Sequence, residues 1–167
     1  MFTLKRISAS GVPAALQKAE RYRLLNDSSA AESICRDIVE VDPDNQQALI
    51  VLLLSITDQF PDELGDALRR AREVLPLLRD EYKRAYYAGI ICERRAKVQR
   101  RQSTPGSGSM AYESFREAME WYENAESMRP ASNDEAFLRW NTCARVLASD
   151  DHLHPRPVEQ YEPVLED

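Results

Sequence analysis

The segment AMEWYENAESMRP, residues 118–130, decides the fold of this chain. Its residues Ala118, Tyr122 and Ala125 are spaced four and three positions apart, which places them on one face of an α-helix. Pro130 follows five positions later. Because proline lacks the amide hydrogen and clashes with the preceding turn, it costs about 3 kcal/mol inside a helix. The segment therefore predicts a helix that packs through alanine and tyrosine and ends before Pro130.

The same arrangement occurs twice upstream. Its members are Ala31, Cys35 and Ile38 before Pro43, and Leu64, Leu68 and Ala71 before Pro76. A further helical pattern follows each proline, so we expect three helix pairs and a single last helix. The predicted bounds are 12–26 with 28–41, 45–59 with 62–75, 79–101 with 110–128, and 133–148 alone.

Local start signals support these bounds. Ser29 with Glu32, and Ser132 with Glu135, have the spacing of a capping box, in which each side chain satisfies a free amide at a helix start. Pro61 suits a first helical position, where no amide hydrogen is needed.

The spacing of the prolines resembles that of a known repeat. Pro43 and Pro76 are 33 residues apart, and helix pairs of this period that end at a proline resemble the tetratricopeptide repeat. The residues that carry the resemblance are Ala19, Tyr22, Ala31 and Pro43 in the first pair, Leu68, Ala71 and Pro76 in the second, and Ala118, Tyr122, Ala125 and Pro130 in the third. The resemblance covers 12–148 and implies an all-α fold, a right-handed superhelix of three pairs with the seventh helix as a C-terminal cap.

The interval from Pro76 to Pro130 is 54 residues, longer than one repeat. A prolonged first helix and a flexible loop insertion at 102–109, QSTPGSGS, would supply the excess. With 167 residues and 43% hydrophobic content, the chain is expected to form one domain. We expect an N-terminal arm at 1–11, the helical repeat domain at 12–148 and a proline-containing acidic tail at 149–167.

The composition limits where the protein is expected to act and which partners it is expected to bind. The net charge of −6 argues against broad affinity for nucleic acid or for an anionic membrane. No secretory signal is recognised at the N-terminus, and the longest apolar run, Ala48–Leu54, is far too short to span a membrane. Cys35, Cys92 and Cys143 lie in helical patterns without a CxxC pair, which favours buried thiols in a cytoplasmic protein.

No catalytic constellation is recognised in the sequence. His152 and His154 are the only histidines, and no cysteine or carboxylate cluster nearby would complete a metal site with them. The segment TPGSGS lacks the lysine and the strand-to-helix setting of a phosphate-binding loop. We therefore expect a non-enzymatic protein without a cofactor or a metal.

The tetratricopeptide resemblance implies that an extended peptide or a helix of a partner protein binds in a concave groove lined by the first helices of the pairs. The predicted binding residues are Leu49, Leu53, Ile56, Tyr82, Tyr86, Arg139, Trp140 and Asn141. Such aliphatic and aromatic anchors suit an apolar cargo. The carboxylate clamp of one tetratricopeptide subtype, built from Lys, Asn and Arg, is not recognised. The alternative is that these side chains belong to the inter-helix core.

Two further functions are consistent with the sequence. The same apolar groove could join two copies, which predicts a homodimeric adaptor. Alternatively, the helix end 94–101 could form a basic patch for an acidic partner or nucleic acid, through Arg94, Arg95, Lys97, Arg100 and Arg101. It lacks the interleaved aromatic residues that stack on bases, so nucleic acid is the less favoured partner. A solvated helix end is the simpler interpretation of these cations.

The tail carries apolar residues at a spacing typical of bound peptides, namely Val158, Tyr161, Val164 and Leu165. One hypothesis is that the tail lies in the groove of its own chain or of a second copy. The alternative is an end that docks nowhere.

Overall fold

The computed structural model describes residues 1–157, and all regular structure in that range is helical. The helices are α1 (Val12–Leu24), α2 (Ser28–Val41), α3 (Gln46–Thr57), α4 (Phe60–Val74), α5 (Glu81–Arg101), α6 (Ser107–Ser127) and α7 (Glu135–Ser149). Short 3-10 turns cover Ala9–Gly11 and Leu75–Leu77. The predicted all-α class and the seven helices are confirmed. The sequence is rich in helix formers, and prolines and polar capping residues mark where the helices begin and end.

Side-chain caps fix the starts of three helices. The carboxylate or amide oxygens of Asp27, Asn45 and Asp80 accept hydrogen bonds from the backbone amides three residues later, at 3.2, 3.0 and 2.8 Å. Each cap satisfies one of the amides that a helix start leaves free. Pro61 lies in the first turn of α4, as predicted.

The two predicted capping boxes are wrong. Asp27 caps α2 in place of Ser29, which leaves the Glu32 side chain to face Arg36 of the same helix and Arg70 of α4. Before α7, Ser132 has a positive φ of 65°, and Asn133 Oδ1 instead accepts from the amide of Glu135 at 3.1 Å.

Successive helices pack against each other along the chain, and α1 also contacts α3. The buried apolar residues form two clusters, the first mainly from α1 to α4 and the second mainly from α5 to α7. Most of the buried residues of α5 belong to the second cluster, but Ile91 packs in the first. Helix α5 is therefore shared by both cores.

The closest helix contact lies between α5 and α6. A Cβ atom built on Gly89 would lie 2.4 Å from Cε1 of Tyr122, so only glycine fits against this ring. Tyr122 is fully buried, and its hydroxyl donates to Glu93 Oε2 at 2.7 Å. Gly89 and Glu93, one turn apart on α5, thus fix the position of Tyr122.

The predicted loop insertion at 102–109 is wrong over its last three residues. Helix α6 begins at Ser107, directly after Gly106, whose φ of 81° turns the chain into the helix. Ser107 Oγ donates to the carbonyl of Gln102 at 2.8 Å. Leu153 is buried in the second cluster, so the segment after α7 packs close to this first turn and orders it.

A buried carboxylate joins α2 to α4. Glu32 is 7% exposed and accepts hydrogen bonds from Arg36 at 2.6 Å, from Gln59 at 2.6 Å and from Arg70. Burial raises the pKa of Glu32, but the hydrogen bonds from Arg70, Arg36 and Gln59 together outweigh it, so the pKa lies below its ordinary value. The charged form of Glu32 therefore stabilises the fold.

We expect Glu32→Gln to lower the free energy of unfolding at neutral pH by about 1 kcal/mol, because charged hydrogen bonds become neutral ones. A lowered folded-state pKa means that the contribution of Glu32 is present above the ordinary value of 4.5 and is lost as the pH falls through the folded-state value. Denaturant titrations from neutral pH to about pH 3 should show a smaller acid-induced loss of stability in Glu32→Gln. Glu126→Gln, at an exposed site, is the control. An equal acid-induced loss in both variants would contradict the prediction.

Candidate functional site

The three leucine and isoleucine positions predicted to line a groove lie in the core instead. Leu49, Leu53 and Ile56 are 1%, 0% and 0% exposed, so the prediction that they contact a partner is wrong. The reason is that α3 is apolar on nearly every side and packs against α2 and α4. The alternative interpretation, that they are inter-helix core residues, is the one the structure supports.

The two predicted tyrosines are also core residues. Tyr82 and Tyr86 are 8% and 9% exposed and stack at 6.0 Å between ring centroids. Tyr86 further contacts Tyr122 of α6 at 5.9 Å, and Tyr82 Oη approaches Asn133 Oδ1 at 3.3 Å. Their rings hold α5 to α6 and to the start of α7, and only their edges reach the surface.

The three consecutive residues of α7 do not form one site. Trp140 Nε1 donates to Glu123 of α6 at 2.9 Å, whereas Arg139 turns towards Glu93 of α5 at 3.4 Å, and Asn141 is exposed. Neighbouring positions of a helix point in different directions, about 100° apart. Of these three residues, only Arg139 contacts a side chain of α5, namely Glu93.

The predicted basic patch is not a single surface. Four of its five cations form ion pairs, Arg94 with Asp58, Arg95 with Glu117, Lys97 with Glu93, and Arg100 with Asp150. Within residues 1–157, Arg101 has no carboxylate partner. Arg94, Lys97 and Arg101 share one side of α5 and line a small pocket with Asp58. Arg95 and Arg100 instead face α6 and the segment after α7.

The structure instead reveals a polar surface that the sequence analysis missed. Arg23 of α1 donates from Nε to Asp58 Oδ2 at 2.5 Å, at the end of α3. Arg94 of α5 contacts the same carboxylate and donates to Thr57 Oγ1 at 2.7 Å and to the carbonyl of Leu54 at 3.2 Å. Asp58 thus holds arginines from two different helices side by side.

A second carboxylate continues this surface towards α7. Glu93 is 1% exposed and accepts from Lys97 Nζ at 2.5 Å, from the hydroxyl of Tyr122 at 2.7 Å and from Arg139 Nη1 at 3.4 Å. Burial is the main cause that lowers the pKa of Arg94, and the nearby charges of Arg23 and Arg139 lower it further, while Asp58 opposes the shift. The three arginines are therefore close enough to repel one another.

We call this surface the arginine face, and it comprises Arg23, Asp58, Glu93, Arg94, Lys97 and Arg139. Its four cations exceed its two carboxylates by two positive charges. Arg23, Arg94, Lys97 and Arg139 each remain partly exposed. Guanidinium groups with residual exposure can bind further carboxylate or phosphate oxygens, often in a bidentate manner.

A half-buried tyrosine borders the arginine face. Tyr87 packs edge-on against Tyr86 at 5.1 Å between ring centroids. Burial raises the pKa of Tyr87 to about 12, and the neighbouring Arg23 opposes the shift. Its hydroxyl is therefore neutral near pH 7, which makes it a hydrogen-bond donor beside the cations.

The described residues offer little nucleophilic or metal chemistry. The three cysteines are unpaired and buried, and burial raises the pKa of each thiol to about 12, far from the thiolate form that reacts. Within residues 1–157, no group of three or more His, Cys, Asp or Glu side chains is placed to hold a metal ion. The chemistry that the arginine face offers is that of its guanidinium groups, which suit the oxygens of anions.

One sequence signal could have revealed the arginine face. Leu16, Ala19 and Arg23 share one side of α1 at helical spacing, and the first two are buried. An arginine that continues an apolar helical face needs a carboxylate partner from another element. The sequence does not identify that partner, because Asp58 lies 35 residues further along the chain.

The hypothesis that the tail docks through Val158, Tyr161, Val164 and Leu165 concerns residues outside the described range. In the described part, none of the helices combines the length and the apolar character required to cross a bilayer. Comparison of the chain with protein-family models, with curated proteins and with solved structures finds no match.

Proposed function

We propose that the protein is a tetratricopeptide-like interaction module that binds an acidic segment of a partner protein on the arginine face. The observation that carries the proposal is the convergence of Arg23, Arg94 and Arg139, from three different helices, around only two carboxylates. Arginines gathered in this way from α1, α5 and α7 suit a partner that supplies the missing negative charge. The proposed activity is non-catalytic and cytoplasmic.

The tetratricopeptide-like arrangement draws support from the order of helices and from the residues at their contacts. Consecutive helices pack in sequence, and the alanine and tyrosine positions of the pattern other than the half-buried Tyr22 are fully buried, at Ala19, Ala31, Ala71, Ala118, Tyr122 and Ala125. In such an array the first helices α1, α3, α5 and α7 would form the concave side. The arginine face draws its residues from three of these helices, α1, α5 and α7, and from Asp58, the residue after α3.

The chemistry of the face favours an acidic segment over the apolar cargo suggested by the sequence. The apolar residues once expected in the groove are buried, and this also removes the basis for a homodimer that uses them. The net charge of the chain is −6, so an excess of cations at one place is a local feature. An acidic partner would be attracted to this place and repelled elsewhere, which favours one orientation.

The proposal predicts which peptides the protein selects. Random peptides displayed on phage and selected on the immobilised full chain should be enriched in Asp and Glu. Replacement Arg139→Gln should weaken the affinity for a selected peptide about tenfold, the effect of losing about 1.4 kcal/mol of charge-assisted hydrogen bonding. Fluorescence anisotropy at two salt concentrations would measure both the affinity and its decrease with salt.

Arg145→Gln is the matched control, because Arg145 is exposed on the same helix and has no ion pair within residues 1–157. Its affinity should stay within about twofold of the parent. Circular dichroism should confirm that both variants fold. The proposal is rejected if the selected peptides show no acidic enrichment, or if both arginine variants weaken binding equally.

A further inference from the structure

A second polar cleft lies at the C-terminal end of α5. It has a volume of about 450 Å³ and lies between the C-terminal end of α5, the first turn of α6 and the segment 150–154 that follows α7. Its lining includes Arg100, Arg101, Ser109, His152 and His154. These residues come from three parts of the chain, and one of them, Arg101, also lines a smaller pocket beside Asp58.

The first turn of α6 presents free backbone amides to this cleft. Gly106 precedes the helix and has no side chain to cap it. The amide of Ser107 donates to Thr104 and that of Met110 to Gly106, whereas the amides of Gly108 and Ser109 have no acceptor within residues 1–157. Amides at the start of a long helix carry partial positive charge and bind anions.

Glycine at 108 is required by the neighbouring segment. A Cβ atom there would lie 2.3 Å from the carbonyl oxygen of His152, so a larger residue would push the segment 150–154 away from the helix. The contact keeps His152 at the edge of the cleft, next to the free amides. The wall of the cleft is thus fixed by packing.

A largely buried serine supplies an independent sign that the cleft accepts a polar ligand. Ser109 is only 6% exposed and lines the cleft, yet its hydroxyl makes no hydrogen bond within residues 1–157. In the same range, every fully enclosed polar side-chain atom has a partner. Ser109 Oγ must therefore retain contact with the open space, and the cleft is the space that it lines.

The charges at the cleft favour a negative ligand. Arg100 pairs with Asp150 at 2.7 Å, and Asp150 also accepts from the amide of His152 at 3.1 Å. Asp150 is the one carboxylate in the lining, against two guanidinium groups, and Arg101 has no carboxylate partner in the described part of the chain. A cation without a partner, free helix amides and an unpaired hydroxyl together match the oxygens of a tetrahedral anion.

We propose that this cleft binds a tetrahedral oxyanion, of the phosphate or sulfate type. The amides of Gly108 and Ser109 and the hydroxyl of Ser109 donate to its oxygens, and Arg101 balances its charge. The segment 104–109 lacks the lysine of a phosphate-binding loop, but the fold brings an arginine from the end of α5 to the same place. The site is thus formed by tertiary packing, and no local motif marks it.

Titration of the ¹⁵N-labelled full chain with inorganic phosphate tests the proposal. At ionic strength kept constant with chloride, we expect saturable shifts of the amide resonances at Gly108 and Ser109. Replacement Arg101→Gln should weaken the binding about tenfold, and Ser109→Ala should weaken it several-fold. Arg116→Gln changes an exposed cation of α6 that has no ion pair within residues 1–157, and it should leave the affinity within about twofold.

Parallel titrations with sulfate and with glycerol phosphate separate the sources of the anion. Tighter binding of glycerol phosphate supports a phosphorylated small molecule, and equal binding of the three supports the free ion. Absence of a saturable shift at Gly108 and Ser109, shifts confined to the arginine face, or an equal effect of Arg101→Gln and Arg116→Gln would each overturn the proposal.

Discussion

Replacement of Glu93 by alanine should lower the free energy of unfolding by about 3–5 kcal/mol. Glu93 is almost completely buried and accepts hydrogen bonds from Lys97, Arg139 and the hydroxyl of Tyr122. Its removal would leave the buried hydroxyl and a half-buried guanidinium without an acceptor. The loss of a buried partner costs far more than the loss of an exposed pair.

Urea titration followed by circular dichroism measures this effect. Glu120→Ala is the matched control, because Glu120 is exposed on α6 and has no ion pair within residues 1–157, and it should change stability by no more than about 0.5 kcal/mol. Glu93→Gln keeps one acceptor oxygen and should fall between the control and Glu93→Ala. If Glu93→Ala were as stable as the control, Glu93 could not be the buried centre of this hydrogen-bond network.

Gly89→Ala should destabilise the protein by about 3 kcal/mol, at the upper end of the range for overpacked cores. Alanine is the better helix former, so propensity alone predicts a gain of stability. The added methyl group, however, would meet the ring of Tyr122 at 2.4 Å. This ring is fully buried and held by Glu93, so it cannot move aside without loss of its hydrogen bond.

Gly65 provides the comparison for Gly89. It lies in α4, is exposed and has no atom within 4 Å of the position where a Cβ would be added. Gly65→Ala should therefore stabilise the protein by about 0.5–1 kcal/mol through helix propensity. Thermal and urea unfolding of both variants would measure the difference. A gain in stability at Gly89 comparable to that at Gly65 would contradict the close packing of α5 on α6.

The helices could be predicted from the sequence because residues close to their ends mark those ends. Pro43, Pro76 and Pro130 mark the ends of α2, α4 and α6 in the sequence, and the structure ends each helix two or three residues before its proline. The start of α6 was placed three residues late. The distant segment 150–154 packs against this first turn of α6, where the carbonyl oxygen of His152 lies over Gly108, and the local sequence does not encode that contact.

The candidate surfaces were much less predictable than the helices. Leu49, Leu53 and Ile56 were assigned to a groove because α3 is apolar on all sides, but that pattern also describes a buried helix. The arginine face depends on how α1, α5 and α7 are oriented around Asp58, which no local spacing encodes. The cations of 94–101 lie close together in the sequence, but in the helix four of them pair with four different carboxylates.

Helix α5 contributes to both apolar cores through Ile91 in one and its remaining buried residues in the other. The same helix supplies Glu93, Arg94 and Lys97 to the arginine face and Arg100 and Arg101 to the oxyanion cleft. An insertion or deletion within α5 would therefore disturb two cores and two surfaces together.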